Sequence, residues 1–380
     1  AGRLSGALRP QDWVGRLGGD EFVILMPGLN SQTDGERLLG RVMESISSPY
    51  TLDTERVAVT ASIGYTVFPC DDADADTLLR HADQAMYAAK QAGRNRFHQF
   101  DAAQERAQRE HHEQGLLLSE ALTQAQFVLF LQPKVVMQTG QVVGAEALAR
   151  WQHPERGLLP PGAFLPLLDG TALEIVFGQW VVEAALAQLE LLQEAGLHMP
   201  VSINISARHL QHPGFGAWMV QCLARYPRVA SSRVELEITE SAALYDLAAV
   251  ADTLAGLRAL GLSVALDDFG TGYSSLTYLR RLPMDTLKID QSFVQGMLDD
   301  TGDRAIVQGV IGLARSFGYQ VIAEGVETIE QGQMLQQLGC AHGQGYCIAR
   351  PMPIDTFIDW ARRWQPPVQW QHQHAEDYSI

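Results

Sequence analysis

Eight residues between positions 146 and 344 could act together on a phosphate ester: Glu146, Asn204, Glu237, Asp267, Asp268, Lys288, Glu324 and Gln344. Each lies late in, or next to, a short apolar run of the kind that forms a buried strand. Singly, each has an ordinary reading as a solvated strand end, a turn pair or a surface lysine. Jointly they do not, because five carboxylates gathered at one place repel unless cations neutralise them. Oxygen donors with an Asn amide, and no clustered Cys or His, suit Mg²⁺ or Mn²⁺ rather than zinc. The adjacent Asp267 and Asp268 suggest two ions bridged by one carboxylate, an arrangement that clamps an in-line displacement at phosphorus. The chemistry indicated is phosphodiester hydrolysis. Lys288 could orient the attacking water and offset charge on the pentavalent phosphorus, with Gln344 as a further water anchor.

These residues need a scaffold that brings strand ends together. Strand-like runs occur at 127–136, 142–148, 201–205, 234–238, 263–266, 286–289, 320–323 and 345–348. Most are separated by helical patterns, such as 173–195 and 303–317. Eight strands with intervening helices over residues 116–370 predict an α/β fold, a (β/α)₈ TIM-like barrel. Active sites of that fold sit at the C-terminal mouth of the strands, where these side chains would converge. Only Gln138-Thr139-Gly140-Gln141 separates the first two runs, which predicts a hairpin and one antiparallel strand.

Glu146-Ala147-Leu148, Asp267-Asp268-Phe269-Gly270-Thr271-Gly272, Lys288-Ile289-Asp290 and Glu324-Gly325-Val326-Glu327 together resemble the EAL domain family of cyclic-di-GMP phosphodiesterases, over about 116–365. The resemblance implies a barrel with one antiparallel strand that opens cyclic-di-GMP to linear 5′-pGpG with two Mg²⁺ or Mn²⁺ ions. It implies that Glu146, Asn204, Glu237 and Asp267 hold one metal, and that Asp267, Asp268 and Glu324 hold the other. Gln132 and Arg150 match positions that contact the dinucleotide; a guanidinium suits phosphate because it donates in a fork. Glu240 and Glu327 would lie outside the direct ligands, with Glu240 holding the Gly270–Tyr273 loop at a homodimer contact. Either Glu324 or the hydroxide network on the metals would accept the proton. No metal-ligating or catalytic position departs from the family pattern, so hydrolysis is expected, with a non-hydrolysing cyclic-di-GMP receptor as the rival.

Before the barrel, Gly18-Gly19-Asp20-Glu21-Phe22 resembles the signature of the GGDEF diguanylate cyclase family, supported by Lys90 and Arg94 at phosphate-contacting positions. Arg9 and Asp12 have the R-x-x-D spacing of that family's product-inhibition site. The family's first strand and the helix after it, with a metal-ligating Asp and the guanine-contacting residues, should precede residue 1. The segment is therefore expected to be a partial α/β domain that makes no cyclic-di-GMP, although a longer parent could be bifunctional. Local patterns predict strands at 22–26 and 57–68 and helices at 34–48 and 78–91. The division expected is a partial GGDEF domain at 1–99, a helical linker at 100–115 within a charged helix of about 98–122, the EAL domain at 116–370, and a tail at 371–380. His111-His112 and His372-Gln373-His374 read as solvated helix and frayed terminus rather than metal sites.

Composition narrows the partners. The 380 residues carry 28 Lys and Arg against 44 Asp and Glu, a formal charge of −16 that repels a nucleic-acid polymer. No run of 18 apolar residues marks a membrane span, and no apolar segment near the start marks a signal peptide. Four scattered cysteines fit reduced thiols and a cytoplasmic protein, whose parent could be anchored in the membrane upstream.

Overall fold

Residues 2–29, 31–52, 55–101, 114–240, 242, 246–270 and 279–371 are described by the computed structural model. The chain divides into two units, residues 1–113 and 114–380.

In the first unit, β1 (Trp13–Gly18) and β2 (Glu21–Leu25) form an antiparallel hairpin that turns at Gly19 and Asp20. β3 (Tyr50–Leu52) pairs with β4 (Glu55–Val57), and β5 (Ile63–Tyr65) runs parallel to β6 (Phe97–Gln99). The single strand expected over 57–68 is thus two short ones. The chain changes pairing partner between them, so one continuous ladder cannot form. Helix Gln32–Ser47 is capped by Ser31 and helix Ala75–Gln91 by Asp74, whose side chains accept backbone N–H bonds. The second helix lies directly on β5 at Gly64, where a Cβ would fall 2.0 Å from the Ala82 carbonyl oxygen. A charged helix beginning near residue 98 is not observed. Residues 98 and 99 belong to β6, helix resumes over 114–123, and 102–113, with His111 and His112, lie outside the described residues.

The second unit is a closed barrel. Its strands are β7 (Phe127–Val136), β8 (Val142–His153), β10 (Val201–Asn204), β11 (Val234–Thr239), β12 (Ser263–Phe269), β13 (Thr286–Ile289), β14 (Gln320–Ala323) and β15 (His342–Gly343). β9 (Gly157–Leu159) extends the edge by pairing with β8. Parallel pairing runs from β8 through β10 to β15, and β7 closes the ring antiparallel to both β15 and β8. The hairpin signal at Gln138–Gln141 therefore yields the reversed barrel strand β7.

Strand alternation divides the barrel into two faces. Ile203, Leu236, Leu266, Leu287 and Ile289 are buried in the apolar core. The alternate positions carry Ser202, Glu235, Glu237, Asp267, Thr286 and Lys288, all buried and joined by hydrogen bonds across strands. Helix Leu173–Glu194 is long and apolar enough by composition to cross a membrane. Here it covers the barrel, burying Phe177, Val181, Val182, Ala185, Leu186, Leu189 and Leu192, while the Gln188 amide donates to the Leu129 carbonyl at 3.0 Å.

Strand boundaries near the mouth differ from expectation, and β8 runs on to His153 instead of ending at Leu148. β12 continues through Asp267, Asp268 and Phe269 instead of ending at Leu266. The closing strand is His342–Gly343, and residues 345–348 form a turn rather than the eighth strand. The turn is held by bonds from the Val326 N–H to the Gln344 carbonyl (3.0 Å) and from the Cys347 N–H to the Val326 carbonyl (2.9 Å). Gln344 thus follows the last strand instead of leading into it. Gly345 makes that approach possible, since a Cβ there would lie 2.2 Å from the Val326 nitrogen and 2.3 Å from its oxygen. Gly345→Ala must push backbone against backbone; we expect a loss of at least about 2 kcal/mol in denaturant unfolding, against a gain of up to about 1 kcal/mol for Gly216→Ala, which stands in open space within helix Phe215–Ala224.

Candidate active site

Lys288 organises the mouth. It projects from β13, fully buried, and its Nζ donates to Glu237 Oε2 at 2.7 Å and to Asp267 Oδ2 at 3.0 Å. Glu324 Oε1 lies 2.6 Å from the same nitrogen and Glu146 Oε2 lies 3.6 Å from it. Four carboxylates from β8, β11, β12 and the end of β14 therefore surround one ammonium. Asn204 at the end of β10 donates to Glu146 Oε1 at 2.7 Å. Gln344 donates through Nε2 to Glu146 Oε2 at 2.6 Å and to Gln132 Oε1 at 3.1 Å. All eight residues proposed from the sequence for the reaction or its metals fall in this mouth.

Asp267 and Asp268 are neighbours in one strand, so a regular pleat would turn them to opposite faces. The β12–β13 ladder shifts register between Leu266 and Phe269, and Asp268 takes a left-handed φ of 55°. The bulge re-aims the second carboxylate toward the first. As a result Glu146, Glu237 and Asp267 each offer an oxygen within 4.8 Å of the others, and so do Asp267, Asp268 and Glu324. Asp267 belongs to both groups. Two oxygen-lined triads sharing one carboxylate fit a pair of hard divalent cations in number and chemistry.

Charge is distributed unevenly across the cluster. Burial alone would raise the Glu237 pKa, but Lys134 and Lys288 bring it down to about 2. Glu146 is raised, by burial first and then by Glu237. Burial, reinforced by neighbouring carboxylates and only partly offset by Lys288, pushes Glu324 up to about 8. Asp268 rises to about 6 through burial and the charges of Asp267 and Asp290. Burial would strip the Lys288 proton, but Glu146 and Glu237 more than reverse this and hold it charged.

The substrate-contact candidates sit beside the cluster. Gln132 is buried, with its amide donating to the Ala349 carbonyl at 3.1 Å. Arg150 is half-buried over the Phe130 ring, and burial lowers its pKa while Tyr346 and Glu146 favour its charge. Glu240 is buried just beyond β11, while residues 271–273 of the loop it was expected to hold lie outside the described residues. Glu327 is exposed and accepts from Gln295 at 3.2 Å, apart from the carboxylate cluster.

In the first unit, Gly18 ends β1, Gly19 and Asp20 form the hairpin turn, Glu21 opens β2, and all four are exposed. Lys90 and Arg94 are also exposed, at and just beyond the end of their helix. Arg9 and Asp12 form a tight turn, with the Arg9 backbone N–H donating to Asp12 Oδ2 at 2.8 Å.

Several polar residues in the barrel were not anticipated: Lys134, Ser202, Glu235 and Thr286 below the carboxylates, and Arg350, stacked 4.2 Å from the Tyr346 ring centre at the rim. Alternation could have found Glu235, two residues before Glu237 and hence on the same strand face.

The EAL domain pattern matches residues 117–351. The chain belongs to the EAL domain family. A diguanylate cyclase GGDEF domain pattern matches residues 1–96. Among similar proteins, the bifunctional diguanylate cyclase/cyclic di-GMP phosphodiesterase MucR of Pseudomonas aeruginosa is 40% identical over 94% of this chain and 52% of its own length. Cyclic di-GMP phosphodiesterase PdeR of Escherichia coli is 34% identical over 92% of this chain and 53% of its own. The chain thus spans about half the length of the curated relatives it matches. A solved MucR phosphodiesterase in complex with c-di-GMP superposes with a TM-score of 0.62 at 41% identity, covering 64% of this chain and 99% of that one. EAL enzyme Bd1971, bound to cAMP and cyclic-di-GMP, gives 0.65 at 29% identity over 77% of each chain.

The raised Glu324 pKa makes a testable demand on this EAL mouth. Between 4.5 and about 8 the folded, metal-free protein holds a proton that the unfolded chain has released. The stability gained is therefore complete below the lower value and lost as pH rises through the higher one. In chelator, the melting temperature should fall from about pH 5 to about pH 8.5. Mn²⁺ should lessen the fall because it favours the deprotonated ligand, and Glu324→Gln should flatten it. A metal-free melting temperature rising over that range by fluorimetry would contradict the assignment.

Proposed function

We propose that the barrel is a metal-dependent phosphodiesterase that opens cyclic-di-GMP to linear 5′-pGpG, and that it works in the cytoplasm as a homodimer. The observation that carries the reading is the pair of oxygen triads joined through Asp267 and centred on Lys288. The resemblance to named cyclic di-GMP phosphodiesterases supplies the substrate. Free thiols at all four cysteines suit a reducing compartment.

Glu146, Asn204, Glu237 and Asp267 would hold one divalent ion, and Asp267, Asp268 and Glu324 the other. Bound there, Mg²⁺ or Mn²⁺ supplies acidification of water and neutralisation of phosphate charge. The chain's own groups do the rest. Lys288, held protonated by its carboxylates, places a positive charge where a phosphorane would gain negative charge. Gln344 keeps Glu146 oriented through its 2.6 Å bond and has a buried Oε1 available to a water. Glu324 lies 2.6 Å from Lys288 and joins Asp267 and Asp268 in the second triad, where its ionised carboxylate would hold the cation. Arg150 offers a fork for a substrate phosphate, with Arg350 as a second cation at the rim.

Incubation with cyclic-di-GMP and Mn²⁺, followed by chromatography, should yield the linear dinucleotide. Glu146→Ala should lower turnover at least about a hundredfold while the fold survives, because a mouth carboxylate adds little packing. Binding without any linear product from the wild type would instead identify a receptor. Ca²⁺ in place of Mn²⁺ should allow substrate binding but slow hydrolysis, since its larger and looser coordination sphere misplaces the attacking water. Equal rates in both metals would refute that geometry.

A further inference from the structure

Below the mouth, the barrel holds a second buried cation that the proposed reaction gives no task. Lys134 lies on β7, and its Nζ donates to Glu237 Oε1 at 2.5 Å, Ser202 Oγ at 2.5 Å and Glu235 Oε1 at 3.0 Å. Three acceptors use all three ammonium protons. Glu235 is itself fixed: Ser202 donates to its Oε1 and Thr286 to its Oε2 at 3.1 Å. Lys134, Ser202, Glu235 and Thr286 are each more than nine-tenths buried. Glu237 is thus shared between two lysines, Oε1 taken by Lys134 from below and Oε2 by Lys288 at 2.7 Å from the mouth side.

We propose that Lys134 is a positioning residue that confines Glu237 to a single metal-binding oxygen. With Oε1 turned down to Lys134, the carboxylate is pinned so that Oε2, which also accepts from Lys288 at 2.7 Å, is the oxygen presented at the mouth. A monodentate carboxylate suits Mg²⁺, which demands a near-ideal octahedron; a carboxylate with both oxygens free can chelate, which suits larger ions with irregular shells. The Lys134 layer therefore sets which divalent ion the mouth prefers. This inference rests on the metal-dependent phosphodiesterase reading, and its test separates the two.

A simpler role is also testable: Lys134 could do no more than balance buried negative charge. Lys134→Met leaves Glu235 and Glu237 short of a cation, whereas Lys134→Met with Glu235→Gln removes one charge of each sign and keeps the balance. The full chain and both variants are titrated with Mn²⁺, free Mn²⁺ being followed by electron paramagnetic resonance without substrate; Mg²⁺ and Ca²⁺ are measured by displacement. The double variant should fold as the wild type does, yet bind Mg²⁺ at least about tenfold more weakly, with a smaller loss for Mn²⁺ and the smallest for Ca²⁺. The charge-balanced protein reads the outcome even if the single variant does not fold. An unchanged Mg²⁺-to-Ca²⁺ affinity ratio in the double variant overturns the positioning role while leaving the phosphodiesterase reading intact. A wild type that binds no Mn²⁺ overturns the metal reading and this inference with it.

Discussion

Buried negative charge is the constraint around which this barrel is built. Two unit charges 4.8 Å apart, the limit within which the carboxylate oxygens of each triad lie, repel by about 3–4 kcal/mol at an effective dielectric near 20. Repeated over the mouth, that repulsion would open the barrel or protonate its carboxylates. Lys134 and Lys288 check both responses at Glu237, whereas Glu146, Asp268 and Glu324 are pushed toward the protonated form. The carboxylate gripped by both lysines, Glu237, is drawn far below the ordinary range, while Glu324, reached by one of them, is left well above it. One side chain is thus kept ionised as a fixed anchor and another retains an exchangeable proton. The difference comes from where the ammonium groups sit, since both residues are glutamates.

The polar interior has a cost that the outer layer offsets. Barrels of this type commonly fill their centre with branched aliphatic side chains, whereas here the inward positions of several strands are charged or hydroxylated. Burial falls to the opposite strand face and the surrounding helices, including the extensively apolar Leu173–Glu194. Ion pairs in such a setting gain little net stability over an apolar core, since desolvation consumes most of the attraction. Their retention fits a functional arrangement better than a stabilising one.

Much of this was legible in the residues. The strand–helix alternation predicts the barrel, and the short Gln138–Gln141 connection predicts its reversed strand, because both signals are local and periodic. The carboxylate set was legible because each member interrupts or ends an apolar run. What escaped was non-local. Lys134 stands in a run that reads as an ordinary apolar strand, and its partners lie 68 to 103 positions away. The final strand was misplaced because His342–Gly343 is only two residues long and gains its pairing from β14 and β7 rather than from its own pattern. The bulge at Asp267–Asp268 leaves no mark in composition; only the broken ladder reveals it.

The reversed strand has a topological consequence. Chains usually enter a barrel of this kind at the end remote from the chemistry. Because β7 runs opposite to its neighbours, Phe127 opposite Trp151 lies toward the rim that carries the carboxylates, with Gln132 and then Lys134 progressively deeper. The polypeptide therefore enters the barrel at the rim, on the strand that carries both the Gln132 amide and the Lys134 ammonium. The leash is fastened at the working end of the barrel.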